Sequence, residues 1–205
     1  MGIIINQSIK NMVTTYLGFA IGAVNTLFLF TYFLTKEYYG LVSFLLSAAN
    51  LIWPFLVFGV HSTLIKFFTS YKTRKEQDRL LTLMLILPAL AALLLGLVGL
   101  LFYTELLEYF KGENELVQPY IWLIFLIAFA TAYFEVFFAW SKIYYKSSFG
   151  NFMKEVFHRF CISVLLLMVY KDWISVSDFI YAISGVFVFR MIVMALYAFS
   201  LHPPR

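Results

Sequence analysis

The chain has 205 residues, 62% of them apolar and only 13% charged, with a mean hydropathy of +0.86. A soluble domain carries about 25% charged residues, so water is not the main solvent here, and the apolar runs each approach the roughly 20 residues that span hydrocarbon. The net charge of +4 and pI near 9.1 do not read as nucleic-acid binding, because Lys and Arg occupy the loops between apolar runs rather than one folded face.

Hydropathy predicts an all-α polytopic bundle of six transmembrane helices, at about 12–34, 41–60, 80–103, 120–140, 152–170 and 179–201. The first run is longer than a secretory core and lacks a small-residue cleavage site, so it reads as a retained span. The fifth is the most polar: Lys154, Glu155, His158 and Arg159 predict an amphipathic interfacial turn that enters the bilayer near Phe160. Connections are short, apart from 71–79 and 104–118, leaving no room for a soluble domain. Cys161 is the single cysteine, which excludes an intrachain disulfide and suggests a packing role.

Alternate loops differ sharply in Lys and Arg. One set holds eleven, from Lys10 through Lys66, Lys72 and Arg159 to Arg205, and the other holds Lys36, Lys111 and Lys171 only. Basic loops stay on the cytoplasmic side, so both termini are expected there, in a bacterial inner membrane.

Polar and small residues recur at helical spacing inside the spans. The first has Asn11, Thr15, Gly18, Gly22 and Asn25; the second has Ser43, Ser47, Asn50 and Pro54; the fourth has Ala128, Ala132, Glu135, Ala139 and Lys142, with Thr131 beside them. Such stripes serve either as packing seams, for which Gly18 and Gly22 form a G-x-x-x-G pair, or as the lining of a polar cavity. Asn25 and Asn50 need partners in either case. Glu135 and Arg190 are the two mid-span charges, each costing at least about 2.5 kcal/mol unless it faces protein or water. Two readings stay open: an ion pair between them that locks two helices, or an Arg190 that lines a cavity and attracts an anionic headgroup. His61, His158 and His202 offer no metal-ligand spacing, and no nucleotide, zinc-protease or serine-hydrolase motif occurs. Neither an enzyme nor a cofactor is expected.

The opening Gly2-Ile-Ile-Ile-Asn-Gln-Ser-Ile-Lys-Asn11, with Tyr16-Leu-Gly18, Gly22-Ala-Val-Asn25, Phe33-Leu-Thr-Lys-Glu-Tyr-Tyr-Gly40 and Gly59-Val-His-Ser-Thr-Leu-Ile-Lys-Phe-Phe68, resembles a polysaccharide-biosynthesis membrane protein. This is the oligosaccharide flippase branch, of O-antigen or capsule-repeat type, of the superfamily that includes multidrug and toxic-compound exporters. The resemblance covers residues 1 to about 75 and beyond that rests on hydropathy and loop charge. It implies two six-helix lobes around a central cavity and, as cargo, an oligosaccharide linked to a polyprenyl diphosphate. Six spans supply the N-terminal lobe alone, so a C-terminal lobe or second chain is expected as partner, beside the lipid bilayer. Arg190, Glu135, Asn25 and Asn50 are then expected at the substrate cavity, and Lys66, His61 and Arg159 at its cytoplasmic mouth. A non-transporting scaffold of a polysaccharide-assembly complex and a cation-coupled drug-exporter lobe are the alternatives.

Overall fold

The computed structural model describes residues 2–105, 107–108 and 115–203, with side chains from Ile5 onward, and these residues form helices and turns without a strand. In chain order they are α1 (Gly2–Val24), which continues through a π turn (Asn25–Leu29) into α2 (Phe30–Phe33), then α3 (Lys36–Val57), α4 (Val60–Phe67) and α5 (Arg74–Leu101). The second half holds α6 (Ile121–Ile143), α7 (Ser147–Phe152), a second π turn (Met153–Phe157) that runs into α8 (His158–Tyr170), and α9 (Val176–Leu201). Lys111 and Glu113, in the predicted 104–118 connection, lie outside the described residues.

Among the described residues, five stretches are long and apolar enough to cross a membrane: Ile5–Phe33, Lys36–Val57, Arg74–Leu101, Glu115–Ile143 and Val176–Leu201. They overlap the first four predicted spans and the sixth. The fifth predicted span falls on the unbroken helical rod formed by α7, the second π turn and α8, which is not among the five. The rod's first half, where an amphipathic turn is expected, carries its charges on one helical face. It is helical throughout, and Lys154, Glu155, His158 and Arg159 all line a cavity that is open on one side.

Capping chemistry sets several ends. Thr73 accepts from the Glu76 amide while Glu76 accepts from the Thr73 amide, and Ser175 with Asp178 does the same at the start of α9. These reciprocal boxes start α5 and α9 several residues before their apolar cores. The α3–α4 corner uses two left-handed residues in succession, Phe58 at φ 48° and Gly59 at φ 72°, the second being where glycine costs least.

The fourth span, α6, is the axis of the bundle and packs against α3, α4, α5, α7 and α9. Its small residues explain the closeness: Ala128, Ala130, Ala132 and Ala139 are all buried, as are Phe134 and Trp140 between them. The first helix stands apart from this axis and docks on α7, the second π turn and α8. Gly18 is the contact point, because a Cβ there would lie 2.4 Å from the Glu155 carbonyl oxygen. A ladder of polar contacts runs along the same seam. Asn11 donates to Ser147 at 3.0 Å, Asn151 donates to the Asn11 carbonyl at 3.1 Å, and Gln7 donates to the Tyr145 carbonyl. The G-x-x-x-G face is therefore a packing seam at Gly18, and it gives way to a cavity at Gly22.

Candidate functional site

The π turn at Asn25–Leu29 is where the seam opens. A π turn inserts one extra residue into the helical ladder and re-aims the side chains beyond it. Asn25 is buried there, donates to the Arg159 carbonyl at 2.8 Å and accepts from the Ser163 hydroxyl at 2.6 Å. Both ends of its amide are satisfied by the neighbouring helix, as a carboxamide in an apolar bundle requires. Beyond it the first helix, α3, α6, the α7–α8 rod and α9 surround a cavity of about 390 Å³.

The candidates from four separate spans meet in this cavity: Asn25, Asn50, Glu135 and Arg190 all line it, as does Arg159. Lys66 and His61 do not. Lys66 is exposed, with its ammonium 5.4 Å from the Phe67 ring, and His61 packs its ring 6.0 Å from Trp53. Burial holds the His61 imidazole below its ordinary pKa, more than the attraction of Glu135 raises it. His61 is consequently neutral at neutral pH and supplies no charge for recruiting an anion.

Of the two readings held open for Glu135 and Arg190, the ion pair between them does not form. Glu135 is 6% exposed and pairs instead with Lys154, whose ammonium nitrogen is 2.6 Å from its carboxylate. The partner is reached because the π turn at Met153–Phe157 aims Lys154 inward at the level of Glu135. Glu155 pairs one turn along with Arg159 at 3.5 Å. Lys154, Glu155 and His158 are the cavity residues that hydropathy alone places elsewhere. Their four-residue spacing, Lys154 with His158 and Glu155 with Arg159, is the signal in the sequence that they share a face.

With both carboxylates of the lining matched, Arg190 has no acid in ion-pair contact among the described residues. It is 4% exposed, and its guanidinium carbon lies 4.4 Å from the Phe134 ring centroid and 4.7 Å from that of Phe187. Among the described residues its one polar neighbour within hydrogen-bond range is His158, 3.5 Å from Nη1 to Nδ1, and its Nε has no partner. Two aromatic faces hold the plane of the fork, while its donors are left largely unused. A planar cation with free, fixed donors in a largely buried position is suited to a bidentate oxyanion such as a phosphate or carboxylate.

The cavity is graded along the spans. Glu135, Lys154 and Glu155 lie toward the end where α6 finishes and the α7–α8 rod begins, whereas Phe30, Ile127 and Ile162 line the opposite end. Phe30 is held at that end by stacking on Tyr39 at 5.3 Å and meeting Phe179 edge-on at 6.4 Å. Among the described residues no group of three or more His, Cys, Asp or Glu could hold a metal ion. No protein-family model, curated protein or solved structure matches this chain. The resemblance to polysaccharide exporters rests on the residues of the opening segment.

Proposed function

We propose that the chain is a six-span lobe of an oligosaccharide flippase, in which the cavity takes the diphosphate head of a polyprenyl-linked glycan and carries it across the membrane. The observation that carries this reading is the unpaired guanidinium of Arg190, fixed between two rings in a polar cavity among apolar helices. Keeping that charge buried is costly, and the Glu135 and Glu155 carboxylates, each in contact with another cation, favour it only from a distance. The α7–α8 rod counts as the fifth span because its charges line the cavity, so its low hydropathy is no obstacle to crossing. In this reading the lobe is N-terminal, both its termini are cytoplasmic, and it needs a facing lobe to transport. Ser43, Ser47 and Asn50 form an exposed polar row on α3 that suits a water-filled or protein-covered side better than lipid.

The drug-exporter alternative is disfavoured, since it calls for a free acid in the lining and both acids are paired. One observation favours the scaffold alternative: the polar stripe of the first helix closes on the α7–α8 rod through Gly18 and Asn25. Binding separates the two. Purified protein in nanodiscs is expected to bind a short prenyl diphosphate, R190K to bind it roughly tenfold more weakly, and R190A more weakly still while remaining folded. Absence of binding by the wild type, or equal binding by R190A, would leave the scaffold reading standing instead.

A further inference from the structure

Two uncharged residues of the cavity stand on α3, the helix that brings no cation to it. Asn50 and Trp53 sit three positions apart on α3 and therefore share a face, across the cavity from Arg190 and Lys154. Asn50 is exposed, and its carboxamide makes no hydrogen bond among the described residues. Asn25 shows the contrast, because its amide is matched at both ends. On a helix of membrane-spanning length an unmatched amide is unfavourable against hydrocarbon, so this face meets water, protein or a polar ligand, and at Asn50 the row runs into the cavity. Trp53 is half-buried beside that amide, steadied by the His61 ring and contributing to the cavity wall.

An indole next to a free carboxamide is a combination that recognises a pyranose. The C–H face of the ring packs on the aromatic surface, and its hydroxyls pair with an amide that both donates and accepts. Resting on the flippase reading above, we infer that Asn50 and Trp53 form a sugar subsite for the ring attached to the diphosphate, with the diphosphate at Arg190. Size limits the recognition. A cavity of about 390 Å³ is near the lower end of ligand pockets, roughly 300–1,000 Å³, so it holds the diphosphate and one ring while the rest of the glycan projects outside. Asn50 and Trp53 then set which linked sugar is accepted, and Arg190 sets only that the ligand is an anion.

The test compares two probes on the purified chain in nanodiscs: a short prenyl diphosphate, and the same lipid carrying a single N-acetylhexosamine. Wild type is expected to prefer the sugar-bearing probe about tenfold. N50A and W53L are each expected to cut that preference to about twofold or less by weakening the sugar-bearing probe more than the bare one, while R190A weakens both probes together. Asn50 is exposed, so N50A carries the test should W53L fail to fold. A wild type without preference, or a preference untouched by N50A, overturns the sugar subsite and leaves the anion site intact. A wild type that binds neither probe overturns both.

Discussion

Glu135 and Lys154 differ in how much each depends on the other. Glu135 is nearly closed off, whereas the Lys154 side chain is 39% exposed and can turn toward water. Removing the lysine strands a buried carboxylate, but removing the charge of the glutamate leaves its contact partner as a cation that can be resolvated and takes from Arg190 only a longer-range attraction. K154M is therefore expected to destabilise the protein by roughly 2 kcal/mol, less than the ~3–5 kcal/mol typical of a fully buried pair. E135Q should cost under about 1 kcal/mol, and the double variant should recover most of the K154M loss. Thermal unfolding of the purified variants measures all three, and equal losses for K154M and E135Q would show that exposure does not govern this pair. The convergence of Asn25, Asn50, Glu135 and Arg190 was legible in the sequence because mid-span polar groups in separate helices have few other places to go. The partner of Glu135 was not legible. It depends on the rotation that the second π turn gives Lys154, and hydropathy averages such rotation away.

Helices and their contacts make sharper demands on glycine than composition suggests. A Cβ at Gly18 meets backbone at 2.4 Å, and one at Gly22 meets the flexible Arg159 side chain at 3.2 Å; at Gly40 it meets nothing within 4 Å. G18A should lose roughly 1–3 kcal/mol through overpacking, G22A much less, and G40A should gain about 0.5 kcal/mol from reduced backbone freedom. Urea or thermal unfolding gives the order, and a G18A as stable as G40A would remove the proposed close approach of the first helix to the α7–α8 rod. The two capping boxes add a pH dependence. Hydrogen bonds from Thr73 and Ser175 hold the Glu76 and Asp178 carboxyls below their ordinary values. A lowered folded pKa stabilises at neutral pH and is lost as pH falls through the folded value. Amide exchange in the first turns of α5 and α9, corrected for intrinsic rates, should accelerate on acidification below about pH 4, and E76Q with D178N should abolish the change. The sequences Thr73-Arg-Lys-Glu76 and Ser175-Val-Ser-Asp178 announce these starts. Apolar runs mark only the membrane-length core, so the predicted spans begin later, at 80 and 179, than the helices do.

For the molecule as a whole, the loop asymmetry predicts a single orientation. Cysteines at Lys72 and Trp173, in a Cys161→Ser background, should separate: an impermeant thiol reagent on intact spheroplasts should label position 173 and spare position 72. Both positions lie in turns between helices, and Trp173 is 74% exposed. Labelling at 72 and not 173 would invert the protein and put the charged end of the cavity on the outer side. Hydropathy made the rods legible: the five membrane-length stretches among the described residues overlap five of the six predicted spans. It could not show that α6 is the axis and the first helix a peripheral member, because that depends on which small residues face which neighbour. Gly18 against the Glu155 carbonyl and the four buried alanines of α6 decide it.

The seam that holds the first helix also dictates an order of events during synthesis. Asn25 finds its partners at Arg159 and Ser163, 134 and 138 residues further along the chain. A ribosome adding about 5–20 residues per second needs roughly 7–30 s to supply them. The first helix is thus made long before its partners are. Throughout that interval its amide must be sheltered by the translocon, by water at the membrane edge, or by a chaperone within the bilayer. Nascent chains halted before residue 159 should remain extractable or sensitive to quality-control proteases, and those extended past residue 163 should not.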